Sequence, residues 1–324
     1  MKNPNLSYPD VLRLFRSALL LPIAGFALLL LSPAAHAQST TWDSFLSNSQ
    51  WYVPAENLLA YLSPTTDLTD VTPAADQTIW VLGTATNGFF SGTSFATMKT
   101  GPLTLSSTTT MNGVVTDSGQ IRIAFSSPGS PTTIGIGQIR DLGGTNYMQM
   151  QMMTGSSFYI THWAYMAAFD GDPDTLPPLE LQPELLSPEW AWMKGTTWAL
   201  QSEALFGAGQ QGEFIIDDYV NGYFWGTGTG PTGSSAENYT LLGSATPEGN
   251  ILFNVLSGTT LTNLTGVITG TDTNGAMVLR SYDTPDTFTN GAAQVVPEPR
   301  TCFLFLAAGL VLFCFVRPRT TNSV

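Results

Sequence analysis

The sequence predicts an all-β protein made of two copies of a roughly six-stranded antiparallel meander, packed as β lobes in a barrel or a sandwich. Short stretches alternate apolar and polar residues and are bounded by Gly, Asn and Asp. Asn-Gly pairs stand between such stretches, and a type I′ turn needs positive φ at both central residues. A gapless internal repeat links the two halves of the chain.

The N-terminus reads as a secretory signal over 1–37. Lys2, Arg13 and Arg16 form a basic region, and 17–31 is a short apolar run broken by Pro22. Ala35-His36-Ala37 fits the small-x-small cleavage rule, with cleavage between Ala37 and Gln38. The uncleaved alternative is an N-terminal anchor.

The first β repeat is expected over 38–169. Residues 79–86 turn at Asn87-Gly88 into 89–96, and 103–116 turn at Asp117-Ser118-Gly119 into 120–126. A third hairpin, 132–141 and 145–154, turns at Gly143-Gly144, and 158–168 is a further strand candidate. Helix is scarce; 54–62 is the best candidate, with Pro54 near its first turn.

Residues 170–188 form an acidic, proline-rich linker, and 189–294 hold the second repeat. WVLGTATNGFFSGT (80–93) aligns with FIIDDYVNGYFWGT (214–227), placing Asn87-Gly88 on Asn221-Gly222. SGQIRIAF (118–125) falls on EGNILFNV (248–255), and Trp51 with Glu56 echoes Trp198 with Glu203. The meanders either close separately or form halves of one larger barrel. Closure is required in both cases, because open sheet edges promote aggregation.

The tail, 295–324, has three parts in order: Pro297-Glu298-Pro299, an apolar run over 301–316, and the basic pair Arg317 and Arg319. As a helix the run spans roughly 24 Å, at the short limit for a hydrocarbon core of about 30 Å. Arginines at the cytoplasmic face extend that reach. On these residues the tail resembles a PEP-CTERM sorting signal. The resemblance covers about a tenth of the chain and implies recognition by an exosortase-type enzyme of a Gram-negative bacterium. It implies a transient inner-membrane anchor, later processing, and a destination at the cell surface or in extracellular polysaccharide. It implies nothing about the chemistry of the body.

Composition fits export. Cys302 and Cys314 both lie in the tail, so the body holds no disulfide and no thiolate site. Five cations remain in 38–299 (Lys99, Arg122, Arg140, Lys194, Arg280). The acids there number 23, the chain's 24 less Asp10, for a net charge of −18. That balance argues against nucleic acid as a partner.

Candidate chemistry is sparse. Asp170, Asp172 and Asp174 have the alternate spacing of a calcium-loop start, but Thr175 and Leu181 occupy the positions for the loop glycine and glutamate. A solvated linker turn is the competing reading. The first repeat carries Arg122, Arg140, Gln149, Gln151 and His162, a polar set that the second lacks. In Met148-Gln149-Met150-Gln151-Met152 one strand face is thioether and the other amide, facing either solvent or a ligand pocket. His162 is the single histidine left after signal removal, which excludes a multi-histidine metal centre. It reads as a structural histidine or as the one available base. Tyr223, Phe224 and Trp225 are either sugar-stacking or else core-facing or cross-strand partners.

No residues are assigned to catalysis and no cofactor is expected beyond the calcium alternative. The expected function is a non-catalytic surface or matrix protein, served by signal peptidase and an exosortase-type enzyme and associated with extracellular polysaccharide. A glycan- or small-ligand-binding β module and a secreted polysaccharide hydrolase are the alternatives.

Overall fold

Asn87 and Gly88 have φ of 54° and 80°, and Asn221 and Gly222 have 52° and 88°, the left-handed pair that a type I′ hairpin requires. From these turns two meanders grow. The computed structural model describes residues 40–296, apart from 65–66, 128–132, 156–157, 172–175, 177–178, 180–186 and 283–287. The signal segment, with Ala37 and Gln38, lies outside the described residues. So does the tail from Pro297 onward, including Glu298, Pro299, Arg317 and Arg319. Among the described residues no helix is long and apolar enough to cross a membrane.

The first meander contains β1 (Gln50–Tyr52), β2 (Leu59–Pro64), β3 (Thr72–Leu82), β4 (Phe89–Thr100) and β5 (Leu103–Val115). It continues through β6 (Gln120–Ser126), β7 (Thr133–Leu142), β8 (Thr145–Gly155) and β9 (Phe158–Phe169). β1 and β2 share one position between β3 and β9: Trp51 pairs with both Trp80 and Ala168, and Tyr61 with both Pro73 and Thr161. The result is a closed barrel of eight strand positions.

The second meander is β10 (Thr197–Ser202), β11 (Gln211–Val220), β12 (Tyr223–Thr229) and β13 (Asn238–Ala245), then β14 (Asn250–Ser257), β15 (Thr260–Thr269), β16 (Ala276–Tyr282) and β17 (Phe288–Val295). It closes when Trp198 of β10 pairs with Val295 of β17. Both expected lobes are therefore present as separate antiparallel barrels, each with eight strand positions where the hairpin count gave about six. Residues 54–62 are not a helix. They hold one 3-10 turn, Ala55–Asn57, followed by β2. Leu59 and Tyr61 pack on the other barrel while Leu62 faces inward, a period-2 pattern.

The duplication reaches individual hydrogen bonds. Trp51 Nε1 donates to Ser49 Oγ at 2.8 Å, and Trp198 Nε1 to Thr196 Oγ1 at 2.8 Å. Gly119 N–H bonds Thr116 O at 2.9 Å while Ile139 N–H bonds Gly119 O at 2.8 Å; Gly249 with Thr246 and Ile268 with Gly249 repeat both distances. A short strap precedes each barrel, and its tryptophan ties it to the same turn. Trp42 Nε1 reaches Asp117 O at 3.2 Å, and Trp190 Nε1 reaches Thr246 O at 2.8 Å.

Each barrel has its own apolar core. Trp51, Trp80, Phe125, Met148 and Met150 fill one; Trp198, Phe214, Phe224 and Phe253 fill the other. The barrels meet along a seam where Leu59, Tyr61 and Trp163 pack on Tyr223, and Leu68 and Tyr159 pack on Leu242 and Leu256.

Candidate functional site

The polar set of the first repeat separates into two places. Alternation along β8 sends Met148, Met150 and Met152 into the barrel core, and Gln149 and Gln151, each 2% exposed, outward. Neither amide faces solvent or a ligand cavity; both face the second barrel. Gln151 Nε2 donates to Ser244 O at 2.9 Å and to Ser244 Oγ at 3.0 Å. Gln149 Nε2 donates to Glu248 Oε2 at 2.8 Å and to Tyr165 Oη at 3.0 Å, while its Oε1 accepts from Arg140 Nε at 3.1 Å.

Burial works to raise Glu248, but the Gln149 amide, its own backbone N–H, the Thr246 hydroxyl and nearby Arg140 outweigh that and hold it below the usual carboxylate range. Tyr165 is pushed up by burial, with Glu248 adding to the effect. Arg122 also looks toward the second barrel, its guanidinium 4.8 Å from the centre of the Tyr282 ring.

Deeper in the seam, Tyr223 Oη donates to Leu59 O at 2.6 Å and accepts from the Trp163 N–H at 3.1 Å. Trp163 Nε1 returns a bond to Asn221 O at 3.1 Å. Burial pushes the Tyr223 hydroxyl far above its ordinary value, so it stays a protonated donor. Tyr223 thus seals the seam, Phe224 lies in the second core, and Trp225 stands half-buried 5.6 Å from Tyr61.

His162 is inside the first barrel. Its Nδ1 lies 3.2 Å from Asp76 Oδ2, an ion-pair contact rather than an aligned hydrogen bond, and its Nε2 is 2.8 Å from Asn57 O. Thr78 Oγ1 donates to Asp76 Oδ1 at 3.2 Å. Ser94, Ser107 and Thr109 line the same layer with Trp80, whose buried Nε1 has no protein partner. The enclosed room is about 10 Å³, the space of one water molecule. A histidine–aspartate pair beside a serine has the composition of a hydrolytic triad. The triad needs the nitrogen distal to the carboxylate free to take the serine proton, and here that nitrogen faces a backbone carbonyl.

Asp170 is exposed, whereas Asp172 and Asp174 lie outside the described residues. Among the described residues no three His, Cys, Asp or Glu side chains gather as a metal set. Sequence reading missed Asp76, Trp80, Ser244 and Glu248, and it named Tyr223 without its place in the seam. Asp76 had a local signal: it occupies the inward phase of β3, in line with Ala74, Thr78, Trp80 and Leu82. A carboxylate there must meet a buried partner. Tyr223, Ser244 and Glu248 had none, since their partners come from the other repeat.

No family model matches the chain, and no curated protein matches it. Among solved structures it is similar to a protein of unknown function from the DUF3598 family of Nostoc punctiforme. The TM-score is 0.27 and the identity 10%, over 79% of this chain and 98% of that one. A likeness of that size says nothing about activity.

Proposed function

We propose that the protein is an exported, non-catalytic surface or matrix protein, delivered by its N-terminal signal and its Pro297-Glu298-Pro299 tail. The observation that carries this reading is the order of the terminal segments around a body without cysteine. The barrels support it. The two amides that composition offered to a ligand pocket, Gln149 and Gln151, are occupied in joining one barrel to the other, and Arg140 bonds Gln149. The lone body histidine is buried, with Nε2 on the Asn57 carbonyl and Nδ1 beside Asp76. In this reading signal peptidase and an exosortase-type enzyme act on the chain, and extracellular polysaccharide is its surroundings.

Mass spectrometry of the exported protein tests the route. Loss of both terminal segments is the expected result. A free extracellular protein that still ends at Val324 overturns it.

A further inference from the structure

The outer wall of the second barrel carries a groove of about 510 Å³ that meets the seam only at Leu256, within the range of ligand sites, about 300–1,000 Å³. Two rows of outward side chains cross the strands to form it. Ile215, Thr227, Thr240 and Leu256 are successive cross-strand partners from β11 to β14. Beside them runs a shorter row, Glu213, Thr229 and Asn238. With strands about 4.8 Å apart, the open part of the longer row, Ile215 to Thr240, spans roughly 10 Å, a trough suited to two units of a linear chain.

The chemistry of the rows narrows the occupant. Ile215, 43% exposed, stands at the open end of the longer row, and the buried Leu256 closes the other end where the seam begins. Hydroxyls lie between them, and the Asn238 amide lies alongside. That alternation matches a sugar chain, which offers C–H faces and hydroxyl edges. No lysine or arginine lines the groove among the described residues, and Glu213 supplies the one carboxylate. With a body charge of −18, an anionic polymer is repelled. We infer that this groove binds a neutral polysaccharide chain. The inference deepens the matrix reading and rests on it for the polymer's presence, but the groove is tested separately from export.

The test is affinity electrophoresis of the full-length chain in detergent, through gels holding dextran, hydroxyethylcellulose or alginate. At least one neutral polymer should retard the protein while alginate does not. Thr227→Trp, which fills the trough from an exposed strand position, should weaken retardation at least tenfold. Thr108→Trp, on the outer wall of the first barrel, should leave it unchanged. Ile215→Asp gives a second route to the same loss, and circular dichroism reports whether each variant is folded. No retardation by either neutral polymer, retardation by alginate alone, or full retention in folded Thr227→Trp and Ile215→Asp overturns the inference. Binding lost from a normally processed protein sinks the groove and leaves the export reading standing. Binding kept by a protein that retains its tail does the reverse.

Discussion

The two barrels share a meander, an Asn-Gly hairpin and a strap, yet they solve the same interior layer in opposite ways. Thr78, Ser94 and Ala96 of the first barrel correspond to Gly212, Gly228 and Gly230 of the second, and Thr109 corresponds to Tyr239. The pairing confirms it: Ser94 faces Thr109, and Gly228 faces Tyr239. The second barrel has glycine at three of these places and fills the space with two rings. A Cβ on Gly212 or Gly230 would come within 2.6 or 2.7 Å of Phe206, and one on Gly228 within 2.3 Å of Tyr239. Phe206 is supplied by the short helix Glu203–Phe206, which follows β10. At the matching place the first barrel has only a 3-10 turn, and its layer is polar, built on Asp76 and His162. A duplicated frame therefore tolerates an aromatic plug or a polar layer, provided the backbone bonds around it are kept.

Removing the plug should give the largest effect. Phe206→Ala is expected to cost about 3–5 kcal/mol in guanidinium unfolding; a cost below about 1 kcal/mol would mean that the ring does not hold the second barrel together. Importing the ring into the first barrel is the reciprocal experiment. Thr109→Tyr alone should overpack the layer by about 1–3 kcal/mol, and adding Ser94→Gly should recover part of that loss. A double-mutant cycle measures the coupling, and strict additivity would break the correspondence between the layers.

Asp76→Asn keeps the shape of the polar layer but removes the charge facing His162. It should cost about 1–2 kcal/mol, read from the same unfolding curves. The seam should respond least, and to pH. Glu248 is held below its ordinary range, so its contribution is complete above the unfolded carboxylate pKa of about 4.3. It is lost as pH falls through the lower folded value. The stability difference between wild type and Glu248→Gln should shrink from pH 7 to pH 3; a difference that grows on acidification contradicts the contact.

What the sequence made legible was local. Asn87-Gly88 and Asn221-Gly222 announced their hairpins because few dipeptides accept two positive φ values. The thioether–amide alternation around Gln149 showed a two-faced strand. Closure was not legible: Trp51 meets Ala168 and Trp198 meets Val295 across the whole of each repeat, with no periodicity to announce the pairing. The short β1 and the interrupting turn at Ala55–Asn57 also hid the strand that completes the first barrel. The polar residues of the first repeat were found, but their use was not, because Ser244 and Glu248 lie more than ninety residues away.

The glycines of the second barrel also set a direction for change. While Phe206 and Tyr239 remain, no side chain can return at 212, 228 or 230 without displacing a ring or a backbone carbonyl. Restoring a polar interior there demands several substitutions at once, each harmful alone. The first barrel has no such ratchet. Around Asp76 and His162, its Ser94, Ser107 and Thr109 are small side chains that can be shortened singly, so of the two halves it is the one in which selection can still open a cavity step by step.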